Sequence, residues 1–91
     1  MKLGFIGTGQ IAKATILGIL GSNLKINKIY ISQRSEKISK QLSKKSKKIV
    51  ILKDNQEIIN NSKWIFLSIT PEVGNKILKN LKFKSSQTII N

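Results

Sequence analysis

The sequence predicts an α/β fold, a parallel sheet of about five strands with helices on both faces, and three observations carry that expectation. Short apolar runs at residues 3–6, 28–32, 48–51, 64–69 and 88–91 alternate with stretches whose apolar residues recur at helical spacing. One run, Trp64-Ile65-Phe66-Leu67-Ser68-Ile69, is continuous instead of alternating, the pattern of a strand buried on both faces of a parallel sheet. The first run breaks at Gly7-Thr8-Gly9 directly before a helical pattern, so the chain opens as strand, turn and helix. Successive parallel strands need right-handed crossovers, which lay the connecting helices on the sheet. No repeat or flexible linker divides residues 1–91, which read as one domain with a single core.

The opening unit carries a Gly-x-Gly-x-x-Ala spacing at Gly7, Gly9 and Ala12. In a Rossmann-type dinucleotide site the first glycine makes the tight turn and the second lets backbone approach a pyrophosphate. The third small residue lets helix pack on strand. The anion would rest at the helix start near Gln10 and Ile11, where unpaired N–H groups and the positive dipole end favour negative charge without a basic side chain. A plain turn would show the same residues, and the place of this one between a strand and a helix favours the nucleotide.

The helix of residues 10–20 meets stop signals at Gly18, Gly21 and Ser22-Asn23, and residues 28–32 form the second strand. Its end reads Ser32-Gln33-Arg34-Ser35. An acidic residue about 20 positions past the glycine turn binds ribose hydroxyls in NAD sites, whereas an arginine accommodates the 2′-phosphate of NADP. No carboxylate stands here, and Arg34, the one arginine of the chain, favours NADP, with Ser32 and Ser35 as further donors. The alternative is a solvated Arg34 and a Ser35 that only caps a helix. That helix spans residues 35–48, with Ile38 and Leu42 on one face and lysines on the others. Without interleaved aromatic residues to stack on bases, the lysines read as a solvated face and not a nucleic-acid surface. Residues 48–51 give the third strand, and Asp54 with a reciprocal Glu57 caps a short helix through Asn60. Capping also explains those two carboxylates better than a catalytic pair does. The fourth strand ends in Ser68-Ile69-Thr70-Pro71, which the parallel-sheet rule places in the same crevice as the glycine turn. Pro71 starts a helix with Val73, Ile77, Leu78 and Leu81 inward, and residues 88–91 give the last strand.

The net charge of +13, from 17 Lys+Arg against 4 Asp+Glu, favours phosphate in some form, although abundant Lys, Ile, Asn and Ser throughout the chain give the same charge without a binding face. The absence of Cys and His excludes disulfides, thiol nucleophiles, imidazole bases and the usual zinc ligands. No apolar run reaches the roughly 18 residues that span a bilayer, and Gln10 and Lys13 interrupt any leader-like start, so a cytoplasmic protein without a membrane partner is expected.

Taken together, Gly4-Phe5-Ile6-Gly7-Thr8-Gly9-Gln10-Ile11-Ala12, Ser32-Gln33-Arg34-Ser35, Asp54-Asn55 and Ile65-Phe66-Leu67-Ser68-Ile69-Thr70-Pro71 resemble, in order and spacing, the N-terminal cofactor domain of the pyrroline-5-carboxylate reductase family. The resemblance implies that Ile6, Gly7, Thr8, Gly9, Gln10 and Ile11 surround the pyrophosphate of NADP. It further implies that Ser32, Gln33, Arg34 and Ser35 hold the adenosine end with its 2′-phosphate, that Asn55 lies beside the adenine, and that Ser68, Ile69, Thr70 and Pro71 support the nicotinamide side. Thr70 departs from the lysine that the family usually has before the proline. Family members continue into a helical dimerisation domain that shapes the pocket for 1-pyrroline-5-carboxylate. The expectation is therefore a cofactor domain without a catalytic residue of its own, inactive alone, and homo-oligomeric only with that further domain. A non-catalytic nucleotide-binding module, or the cofactor domain of an F420-dependent NADP reductase or a beta-hydroxyacid dehydrogenase, shares the glycine turn.

Overall fold

The computed structural model describes residues 1–7, 9–33 and 36–90, positions 71 and 73 by their backbone alone. Strands β1 (Lys2–Ile6), β2 (Lys28–Ser32), β3 (Ile49–Leu52), β4 (Trp64–Leu67) and β5 (Thr88–Ile90) alternate with helices α1 (Gln10–Leu20), α2 (Glu36–Lys45), α3 (Asn55–Asn61) and α4 (Pro71–Leu78). All five strands are parallel, in the order β3-β2-β1-β4-β5. The chain steps outward from β1 to β3, returns past β1, and steps outward again through β4 and β5. Right-handed crossovers then place α1 and α2 on one face and α3 and α4 on the other.

The pleat sorts the core accordingly. Leu3, Phe5, Ile29, Ile31 and Ile49 meet Ala12 and Ile16 of α1 and Leu42 of α2, while Ile6 and Ile65 meet Ile58 and Ile59 of α3 with Ile77, Leu81 and Phe83 beyond them. Gly4 lets α3 lie close on the sheet: a Cβ there would stand 2.7 Å from Ile58 Cγ2 and closer still to Ser62 Oγ. Two glutamine side chains bond backbone that lies outside the strands. Gln56 Nε2 donates to Lys82 O at 2.9 Å while Lys82 N donates to Gln56 Oε1 at 2.9 Å, and Gln87 Nε2 donates to Ser62 O at 2.8 Å. Among the described residues no helix is long and apolar enough to cross a membrane.

Several expectations are corrected. Helix α2 stops at Lys45, not at residue 48, because Ser46 Oγ accepts from Lys48 N at 3.1 Å and its carbonyl accepts from Ile49 N at 3.3 Å, turning the chain into β3 one residue late. Asp54 caps α3 by accepting from Gln56 N at 3.0 Å, but among the described residues Glu57 returns no bond, so half of the capping box forms and the helix runs on to Asn61. Strand β4 is not buried on both faces: Ile65 is, whereas Phe66 and Leu67 are half-buried and Trp64 is 36% exposed. The cause is topological, since α1 and α2 both lie toward β1 to β3 and nothing described covers that face of β4 and β5. The strand also ends at Leu67, where Ile69 turns toward the α3 and α4 face instead of continuing the ladder. Residue 91, expected in the last strand, and the side chain of Val73, expected inward, lie outside what is described.

Candidate functional site

The glycine turn leaves the C-terminal edge of the sheet at the place where strand order reverses. Ile6 pairs with Leu67, and Ser68 N donates to Ile6 O at 2.9 Å, so the turn after β1 and the loop after β4 start side by side. Gly7 has φ +91, and a Cβ there would lie 2.5 Å from the Ser68 carbonyl oxygen. Backbone conformation and space both exclude a side chain. Gly9 differs. It is the N-cap of α1 in extended backbone, no side chain caps the helix, and no acidic residue sits in its first turn. A Cβ on Gly9 would meet nothing within 4 Å. The space before an uncapped helix start is open, which fits an anionic group held by backbone N–H donors.

Two hollows flank this turn. One, of about 410 Å³, is lined by Gly7, Ser32, Lys53, Asp54, Asn55, Ile77 and Leu81. The other, of about 520 Å³, is lined by Ile11, Thr15, Phe66, Leu67, Ser68, Ile69, Thr70 and Ile90. The first is bordered by the ends of β1 and β2, the β3–α3 loop and α4. The second lies over β4 and β5, beside α1.

The expected residues fall into place unevenly. Ile6 is wholly buried toward α3, so only its backbone can face a ligand. Gln10 is exposed and Ile11 is 79% exposed at the start of α1. Ser32 is buried at the end of β2, where its carbonyl accepts from Ser39 Oγ at 2.6 Å. Gln33 follows it on the surface, beside a smaller hollow that it shares with Glu36 and Lys40. Asn55 opens α3 inside the first hollow, and Ser68, Ile69 and Thr70 line the second. Pro71 opens α4. Thr8, Arg34 and Ser35 lie outside the described residues. The carboxyl of Glu36, at the surface, is held below its ordinary value by a hydrogen bond from Lys40 Nζ at 2.9 Å and by that ammonium's charge.

Sequence reading missed the walls of both hollows: Lys53, Ile77 and Leu81 in one, Thr15, Phe66 and Ile90 in the other. A signal for Lys53 existed, because it directly follows a strand and ligands gather beyond strand C-termini in parallel sheets. The pairing of α4 with the end of β2 across the first hollow carries no such local signal.

A family model described as NADP oxidoreductase, coenzyme F420-dependent, matches residues 2–91. Among solved structures, a 1-pyrroline-5-carboxylate reductase from the human pathogen Streptococcus pyogenes superposes with a TM-score of 0.78 at 31% identity, covering 98% of this chain. The chain spans 32% of the length of that protein. No curated protein matches.

Proposed function

Because the chain belongs to the coenzyme F420-dependent NADP oxidoreductase family, with a Rossmann-type sheet and a site for an NAD(P)-type cofactor, we propose that it is the cofactor domain of a reductase that forms proline from 1-pyrroline-5-carboxylate. The observation that carries the cofactor half is the turn itself: Gly7 is locked against the Ser68 carbonyl and Gly9 opens onto empty space before an uncapped helix. The substrate half leans on the 31% identity to the streptococcal reductase, which extends over 98% of this chain.

In this reading NADPH supplies a hydride to the imine carbon while the ring nitrogen gains a proton. The residues of this chain bind and orient. Backbone N–H groups at the start of α1 hold the pyrophosphate, with Gly9 giving them access. Ser32, Gln33, Arg34 and Ser35 take the adenosine end, Arg34 meeting the 2′-phosphate, and Asn55 lies beside the adenine. Ser68 to Pro71, pinned to the glycine turn through the Ser68 N–H, set the position of the nicotinamide. The apolar residues of the second hollow, Ile11, Phe66 and Ile90, exclude water from one side of it. No residue of this chain is assigned a proton transfer, and substrate contacts are assigned to the longer protein. The family description favours one other reading, in which the hydride partner is coenzyme F420.

The test is a titration with NADPH and NADH followed by calorimetry or by NADPH's own fluorescence. Trp64 stands at the opposite edge of the sheet, paired with Leu3 and Thr88, and is a poor reporter. Saturable binding that prefers NADPH is expected, and Arg34→Glu should move that preference toward NADH, because a carboxylate repels a 2′-phosphate and accepts ribose hydroxyls. Folded protein that binds neither nucleotide would overturn the proposal. Turnover of the longer protein on 1-pyrroline-5-carboxylate, set against turnover on F420, decides the substrate.

A further inference from the structure

Strands β2 and β3 run in register with Ser32 opposite Leu52. The residues that follow them therefore leave the sheet side by side at its C-terminal edge, Lys53 next to Gln33. Neighbouring strands stand about 4.8 Å apart, within the reach of a lysine side chain. Ser32 and Lys53 line the same hollow, together with Gly7 of the glycine turn.

The fold makes no visible demand on this lysine. It is exposed, and Lys40–Glu36 is the one ion pair among the described residues. The adjacent Asp54 commits a carboxylate oxygen to Gln56 N at 3.0 Å as the cap of α3. A second observation concerns charge. A phosphate monoester carries about −1.5 to −2 at neutral pH, which one guanidinium neutralises only in part. Arg34 is the one arginine of the chain; on α2, Lys40 is engaged by Glu36, and Lys37, exposed at the start of that helix, lines neither hollow beside the glycine turn, whereas Lys53 lines the first.

Resting on the cofactor reading above, we propose that Lys53 is a specificity-determining residue that supplies, from the β3 side, the second cation for the phosphate on the adenosine ribose. Preference for NADPH is then divided between the β2–α2 segment, through Arg34, and the β3–α3 loop, through Lys53. Ser32, at the strand end between them, is the floor of this subsite.

The experiment compares the dissociation constants of NADPH and NADH for the wild-type chain, Lys53→Gln and Lys53→Arg, each at low and moderate salt, with thermal melts to confirm folding. Lys53→Gln should weaken NADPH about tenfold, as loss of a charge-assisted contact does, leave NADH within about twofold, and flatten the salt dependence of NADPH binding. Lys53→Arg should keep most of the NADPH affinity. If NADPH and NADH weaken together, or if neither changes, Lys53 does not read the phosphate and the proposal falls while the cofactor reading stands. A folded wild-type chain that binds neither nucleotide overturns both.

Discussion

The two hollows on either side of the glycine turn share one sheet edge but differ in what encloses them. The hollow over β1 and β2 is walled by polar loop residues and by Ile77 and Leu81, above strands that α1 and α2 cover on one face and α3 on the other. The hollow over β4 and β5 is mostly apolar and has a helix on one face only, which leaves Ile11 79% exposed and Phe66 and Ile90 half-buried. In the cofactor reading proposed above, the first hollow would discriminate by charge and hydrogen bonds already present in this chain. The second offers shape and dryness, and its selectivity depends on what lies over it.

The largest expected effect breaks this contrast at its seam. Phe5 and Phe66 stack across β1 and β4 with ring centroids 4.6 Å apart and planes within 7°, yet Phe5 is 0% exposed and Phe66 is half-buried. Removing Phe5 leaves a cavity under α1, so Phe5→Ala should cost about 3–5 kcal/mol in chemical denaturation. Phe66→Ala removes the same ring from the uncovered side and should cost about 1–2 kcal/mol, in proportion to the apolar area withdrawn from water. Equal losses would show that the β4 side is covered in solution, for instance by a second copy, and the loss at Phe66 should then depend on protein concentration.

Gly7→Ala comes next, and it strikes both hollows because the turn divides them. A residue with a side chain at φ +91 costs about 1–3 kcal/mol in backbone strain, and its Cβ would also press on the Ser68 carbonyl. Gly9→Ala has neither problem, since Gly9 holds φ −108 with free space around it. The melting temperature should fall clearly for the first variant and little for the second. A similar fall in both would mean that Gly9 is as constrained as Gly7 and that the open space before α1 is not available to a ligand.

The glycine turn that divides the hollows was legible in the sequence, whereas the difference between them was not, for a physical reason. Strand, glycine turn and helix are local patterns, and Gly7-Thr8-Gly9 after an apolar run announces them. The cap at Asp54 is equally local, and the Asp54 half of it forms, without the reciprocal bond expected of Glu57. The continuous apolar run of β4 was misleading because hydropathy reports what a side chain tolerates, not what lies over it. Cover depends on strand order, and only the return of the chain past β1 leaves Phe66 without a helix. Lys53 was half legible: its place directly after a strand is a local signal, but the Ser32–Leu52 register that sets it beside the end of β2 relates strands distant in sequence. Gln56 and Gln87, which bond the backbone of segments about 25 residues away, are unremarkable polar residues until the fold brings those segments together.

The smallest effect sharpens the electrostatic side of the contrast. Glu36 opens α2 beside Gln33, and the Lys40 hydrogen bond and charge keep its carboxyl below 4.5, its ordinary value. A carboxyl whose value is lowered by folding adds stability that is present above the ordinary value and is lost as the pH falls through the folded one. The melting temperature of wild type should therefore exceed that of Glu36→Gln slightly at neutral pH and converge on it under acid conditions. The pair is fully at the surface, so added salt should shrink the difference as well. The same variant frees the Lys40 ammonium next to the β2–α2 segment and should tighten NADPH by no more than about twofold, because the freed charge stays in water. A gain much larger than that would place Lys40 in the phosphate subsite and take from Lys53 its role as the second cation.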